Sequence, residues 1–123
     1  MKKLLTQKGK EFGKSCEELA GRFLKDQGYT IVERNFQTKL GEIDIVAKKD
    51  NYLVFVEVKA RRSQNYGLPQ EAVTTKKQAV IKKVAQAFLQ KNGLEHKMMR
   101  FDVIAITFSN QGQPKVEHIP FAF

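Results

Sequence analysis

The sequence predicts a single mixed α/β domain, residues 1–123, in which helices cover a central sheet of about five strands, in the order α-β-β-β-α-β-β. Three observations carry this expectation. A chain of 123 residues suits one domain with one core. Two segments carry apolar residues at helical spacing, and five carry β-branched or aromatic runs bounded by turn residues. No internal repeat, low-complexity tract or linker interrupts them.

From about Gly9 to Gln27, Phe12, Cys16, Leu19, Ala20, Phe23 and Leu24 recur at helical intervals, and Gly28 stops the helix. YTIVERNF (Tyr29–Phe36) reads as the first strand. GEIDIVAKK and NYLVFVEVKA are the second and third, joined at Asp50-Asn51, and RRSQNYGLPQ is a loop. A second helix begins at Pro69 or Thr75 and runs to Lys91, where Asn92-Gly93 ends it. RFDVIAITF (Arg100–Phe108) is a strong strand, and PKVEHIPFAF is a weaker one limited by Pro120, paired across the turn SNQGQP.

Composition narrows the function. The net charge of +9 favours a polyanionic partner, namely DNA, RNA or an anionic membrane, over an inert basic surface. A single cysteine excludes an internal disulfide and a cysteine zinc site, and the histidines His96 and His118 lie far apart. MKKLLTQKGK opens like a leader peptide, but charge returns at Lys8 with no apolar stretch after it, and no run approaches a membrane span. A reducing cytoplasm is the expected setting, with no membrane partner and no small-molecule cofactor.

The unusual stretch is LGEIDIVAKKDNYLVFVEVKA, from Leu40 to Ala60, which places acids inside two apolar strands. With Asp50-Asn51 as a two-residue loop, Lys49 pairs with Tyr52, Val46 with Phe55, Asp44 with Glu57 and Glu42 with Lys59. Directly opposed residues share a face, so Asp44 and Glu57 repel each other beside Ile43, Ile45, Val56 and Val58. A divalent cation would offset that repulsion, since Mg²⁺ prefers one or two carboxylates with waters and substrate phosphate. Salt bridges from Lys59 and Glu42 are the other way to neutralise the patch. A three-residue loop or a bulge would send one strand's acids to the opposite face.

The helices add two residues. At about 100° per residue, the first helix's apolar stripe spans roughly −20° to +120° from Phe12, with Glu17 near 140° at its edge and Glu18 near 240° facing solvent. Glu17 can reach the sheet or serve as an ordinary boundary glutamate. On the second helix Lys77 lies near the centre of the stripe formed by Val73, Val80, Ile81, Val84, Ala85 and Phe88. It either extends toward an anion or snorkels to water. Lys76, Lys82 and Lys83 read as a solvated basic face.

Asp44, Glu57 and Lys59 around Mg²⁺ or Mn²⁺ suit phosphodiester hydrolysis. The metal would polarise a phosphoryl oxygen and lower the pKa of bound water, and Lys59 would orient that water or stabilise the developing negative charge. Arg61 and Arg62 in KARR, with Lys76 and Lys77, are candidates to hold backbone phosphates. Tyr66 in the following loop is either a sugar or base contact or a surface residue.

The Asp44…Glu57-Val58-Lys59 pattern resembles the core of the PD-(D/E)XK, restriction-endonuclease-like nucleases, with Ile43 in place of the proline. Over nearly the whole chain, the segments GYTIVERNF, GEIDIVA, FVEVKAR, GLPQEAVTTKKQ, RFDVIAI and the final FAF resemble the YraN-like family of bacterial proteins. The resemblance implies a restriction-endonuclease-like three-layer fold similar to that of archaeal Holliday-junction resolvases, which are homodimeric Mg²⁺-dependent endonucleases. It implies Asp44, Glu57 and Glu17 as metal-binding acids, Lys59 as the catalytic lysine, and a site role for Glu42 in orienting Lys59. It places Lys77 at the family's lysine after the AVT segment. Cys16 replaces a usual glycine and falls on the apolar stripe, where packing explains it. The expected activity is cleavage of DNA, branched or otherwise structured DNA included. A catalytically silent nucleic-acid-binding module, or a protein-interaction factor in DNA maintenance or uptake, are the competing expectations.

Overall fold

A computed structural model describes residues 7–61, 73–108 and 112–123, with side chains from residue 13 onward. Arg62, Tyr66, Gly67 and Pro69, and the first half of the turn SNQGQP (Ser109, Asn110 and Gln111), lie outside the described residues. The elements are α1 (Gln7–Asp26), β1 (Thr30–Gln37), β2 (Glu42–Lys49), β3 (Tyr52–Arg61), α2 (Thr75–Lys91), β4 (Met98–Thr107) and β5 (Lys115–Ile119). This is the expected α-β-β-β-α-β-β order.

The five strands form one sheet in sequence order, β1 to β5. All neighbours are antiparallel except β3 and β4, which are parallel and joined through α2. A parallel pair needs such a crossover, because a tight turn only reverses the chain. The helices lie on opposite faces and make three layers. Cys16, Ala20 and Leu24 of α1 pack with Ile45, Ala47, Val54, Val56, Ile104 and Ile106. Ile81, Val84, Ala85 and Phe88 of α2 pack with Phe36, Val46, Leu53, Phe55, Phe101 and Val103. The three inner strands are therefore buried on both sides, which is why β3 reads as the unbroken apolar run Leu53-Val54-Phe55-Val56 instead of an alternating one. Each large side chain fully buried here, such as Phe55 or Phe88, contributes roughly 1.5–3 kcal/mol. Cys16 is buried in the α1 layer, as its place on the stripe anticipates.

Local chemistry sets the ends of the elements. After α1, Gly28 takes φ 92 and the Tyr29 amide donates back to the Leu24 carbonyl at 2.9 Å. That left-handed turn is open to glycine without steric cost. Asp50 also turns left-handed (φ 53), and the β2–β3 register follows: Lys49 opposite Tyr52, Val46 opposite Phe55. Helix α2 starts at Thr75, the later of the two expected starts, because the Thr74 hydroxyl accepts the Lys77 amide as an N-cap. Strand β5 stops at Ile119, before Pro120. Past it, the Ala122 amide donates to the Phe101 carbonyl at 2.7 Å and Phe123 stacks on Phe101, so the FAF end packs down as a non-strand tail.

Candidate active site

The β2–β3 ladder runs from Lys49–Tyr52 to Ile45–Val56 and stops there. At the next position the Asp44 side chain takes over: its Oδ2 accepts the backbone N–H of Val58 at 2.8 Å. On the other side of β2, Arg34 opposes Ile45 and Phe36 opposes Ile43, so Asn35 falls across from Asp44. Asn35 is left-handed (φ 55), and its side chain is hydrogen-bonded to Glu17 of α1. The sheet is thus deformed where the acids gather, and α1 is tied to the deformation through Asn35.

Glu57 is buried, with 7% of its surface exposed. Its Oε2 lies 3.6 Å from Lys59 Nζ and 3.7 Å from Lys77 Nζ. Lys77 arrives from the first turn of α2, positioned by the Thr74 cap. The stripe residue that sequence left between an anion and water therefore extends to a carboxylate. The ladder ends before the two expected pairings, Asp44 opposite Glu57 and Glu42 opposite Lys59, and of the salt bridges that were the alternative to a cation Lys59 makes one along its own strand to Glu57 and none to Glu42. Glu42 is exposed at the start of β2.

Four carboxylates sense one another here. Burial first, then the charge of Glu57, with smaller contributions from Glu17 and Glu42, push the Asp44 carboxyl up to about 7 against the opposing pull of the Val58 amide. Burial also raises Glu17, offset by its hydrogen bond with Asn35, while Glu42 raises it further and Arg34 lowers it. Among the described residues, no three acidic, histidine or cysteine side chains converge tightly enough to grip one ion. Asp44 and Glu57 form a pair, and Glu17 stands behind Asp44 as an electrostatic neighbour.

Three of the four basic residues expected to contact phosphate are described, and they stand in different environments. Lys76 is exposed at the start of α2, and Lys77 is half-exposed and committed to Glu57. Arg61 is buried and paired with Glu117 of β5 at 3.4 Å, so it ties the third strand to the fifth instead of facing solvent. Arg62 lies outside the described residues.

A second polar cluster escaped the sequence reading. Asp102, fully buried in β4, accepts from Arg100 Nε at 3.0 Å and Nη2 at 2.8 Å, from the Phe121 amide at 3.2 Å, and sits 2.7 Å from His118 Nε2. Arg100 also donates to the Tyr29 hydroxyl, and its guanidinium lies among the rings of Tyr29, Tyr52 and Phe121. The signal was present in RFD: an arginine and an aspartate two apart in a strand share one face.

Residues 16–106 match the model of a family described as uncharacterised protein family UPF0102. A UPF0102 protein of Trichlorobacter lovleyi is 52% identical over 108 residues, covering 87% of this chain and 85% of the relative. One from Caldicellulosiruptor saccharolyticus is 52% identical over 97 residues, covering 79% and 82%. A third, from Geobacter sulfurreducens, is 48% identical over 114 residues, covering 93% and 89%. With its family model matched from Cys16 through the end of the β4 core, and its relatives aligned over most of both chains, this chain belongs to uncharacterised protein family UPF0102, the YraN-like family that its motifs resemble.

Proposed function

We propose that this protein is a Mg²⁺- or Mn²⁺-dependent endonuclease that hydrolyses DNA phosphodiester bonds, with branched or otherwise structured DNA as its substrate class. The observation that carries the reading is the Asp44–Glu57 pair: two carboxylates held side by side at the end of a strand ladder, one with its proton affinity raised to about 7, with Lys59 alongside. Lys59 and Lys77 offset the charge of Glu57, but Asp44 has no ammonium partner among the described residues, and burial and the like charge of Glu57 still raise its proton affinity.

The donor set fits a hard divalent cation of the Mg²⁺ type, which takes one or two carboxylates and completes its shell with water, backbone and phosphate oxygens. Asp44 and Glu57 would hold it, and Glu17 and Glu42 would add negative charge from a step further out. When bound, the ion polarises a phosphoryl oxygen and acidifies a water. The chain's own residues do the rest. Lys59 orients the attacking water or stabilises the negative charge that builds on the phosphoryl oxygens as water adds to phosphorus and the bond to the leaving oxygen breaks. Lys77 and Lys59 share Glu57 in the free protein, and either ammonium can turn from it to an incoming phosphate.

The test is incubation of the purified protein with linear, flap and four-way DNA in Mg²⁺ or Mn²⁺. The expected result is strand cleavage that Asp44→Ala abolishes. Cleavage undiminished in Asp44→Ala, or no cleavage of any substrate by the wild type, would overturn the proposal. DNA binding indifferent to chelator and without cleavage would instead identify a silent binding module. Weak, steeply salt-dependent binding without structural preference would identify an interaction factor.

A further inference from the structure

Glycine inside a helix costs about 1 kcal/mol relative to alanine, so Gly21, within α1 and buried, needs a reason. The reason is Arg34. A Cβ built on Gly21 would lie 2.4 Å from Arg34 Nη2 and 3.0 Å from its Cζ. The guanidinium, carried by β1, lies against the helix where a side chain at position 21 would stand. From there Arg34 is close enough to Glu17 to favour its charged form, and Glu17 in turn neighbours Glu42 and Asp44. Beside it opens a cleft of about 450 Å³ lined by Arg22, Arg34 and Glu18. Arg22 also lines a hollow of about 300 Å³ with Asp26 and with Leu19, Phe23 and Val116, whose apolar surface is of a kind that accepts a sugar or base.

We propose that the cleft between α1 and β1 binds a backbone phosphate of the DNA strand through Arg34 and Arg22, on the α1 side of the acid site. This rests on the nuclease reading and extends it. A polyanion approaching Glu17, Glu42, Asp44 and Glu57 meets repulsion that must be offset on both flanks. Lys59 and Lys77 serve the flank toward α2; Arg22 and Arg34 serve the flank toward α1. A guanidinium already placed against the helix loses less freedom on gripping a phosphate, and its planar fork matches two phosphate oxygens. Glu18, exposed on the outer wall, keeps the cleft from carrying excess positive charge when empty.

The experiment measures DNA affinity across a salt series, by fluorescence anisotropy, for wild type, Arg22→Ala, Arg34→Gln and Gly21→Ala, with Ca²⁺ replacing Mg²⁺ to hold cleavage off. Gly21→Ala keeps every charge but dislodges Arg34, so it separates a built seat from bulk basicity. The expected result is a salt slope smaller by about 1 for each of the three variants and affinity lower by roughly 3- to 10-fold at 0.1 M salt. Arg22→Ala and Gly21→Ala should keep the wild-type thermal midpoint or exceed it. Wild-type slopes in both Arg22→Ala and Gly21→Ala, in a protein that binds and cuts DNA, would overturn this inference and spare the nuclease reading. Reduced slopes in a protein that binds DNA but never cuts it would support the cleft and remove the nuclease. Absence of any DNA binding by the wild type would remove both.

Discussion

Asp44 accepts the amide of Val58 at 2.8 Å, immediately past Glu57, so a side-chain carboxylate occupies the place where the strand ladder would supply a backbone acceptor. That bond resolves the puzzle of a hydrophobic hairpin with like charges in its middle. A hydrogen bond to a charged group is worth about 1.5–3 kcal/mol, enough to hold Asp44 beside Glu57 against part of their repulsion and the cost of burial. The remaining strain shows as the raised proton affinity of Asp44. The hairpin is thus held short of its most stable form, as a site kept ready for a cation would be.

Asp44→Asn should stabilise the protein while abolishing cleavage. The folded chain keeps Asp44 protonated up to about pH 7, whereas the unfolded chain releases the proton in the ordinary carboxylate range. The stabilisation from proton uptake is full below about pH 4 and is lost as pH rises through 7. Asparagine can still accept the Val58 amide but carries no charge to repel. At pH 8 the variant should be more stable by on the order of 2 kcal/mol. Urea denaturation at pH 5 and pH 8 checks this; equal pH dependence in wild type and variant would count against it.

Lys59→Ala separates chemistry from ion binding. It removes one of the two ammonium groups on Glu57 but neither acid of the pair. Cleavage should fall by about 100- to 1,000-fold, the usual effect of deleting a group that stabilises developing charge. Saturating Mg²⁺ should still raise the thermal midpoint, by about 2.7 kcal/mol of stability at a hundred times the dissociation constant. Loss of the Mg²⁺-induced shift along with cleavage would move Lys59 from the chemistry into the ion site.

Much of this was legible in the sequence. The order of elements, the hairpin register through Val46–Phe55 and the helix phase of Glu17 follow from periodicity and turn chemistry, which are local. What periodicity could not reveal depends on departures from it. The ladder stops at Ile45–Val56, where the Asp44 side chain takes the Val58 amide in its place, so Glu42 and Lys59 never pair. Arg61 reads as one more basic residue in KARR, yet strand alternation turns it inward to Glu117, a partner more than fifty positions away. Helical spacing does not mark Gly21, because the guanidinium beside it comes from Arg34 on another element.

The Arg100–Asp102 pair should behave as a buried ion pair that tolerates joint removal better than single removal. Asp102→Leu leaves Arg100 buried against Tyr29 without its carboxylate, and Arg100→Met leaves Asp102 without its guanidinium, beside His118, the Phe121 amide and the Tyr29 hydroxyl. Breaking one half of such a pair costs about 3–5 kcal/mol, whereas replacing both halves by apolar residues is often close to neutral. The double variant should therefore be more stable than either single one in urea denaturation. Additive losses would mean that Tyr29 and His118 carry the cluster independently of the pair.

Arg61 and Lys76 stand close together in the expected phosphate-binding set but should part company in experiment. Arg61 is 8% exposed and bound to Glu117, so its loss unties β3 from the edge strand β5. Arg61→Ala should lower stability by on the order of 2 kcal/mol, because Glu117 loses a charged hydrogen-bond partner, and should leave the salt slope of DNA binding unchanged. Lys76 is exposed at the start of α2. Lys76→Ala should leave stability within about 0.5 kcal/mol of wild type and reduce the salt slope by about 1. Denaturation and anisotropy on the same preparations decide the matter, and a reduced slope in Arg61→Ala at unchanged stability would return that arginine to the DNA surface.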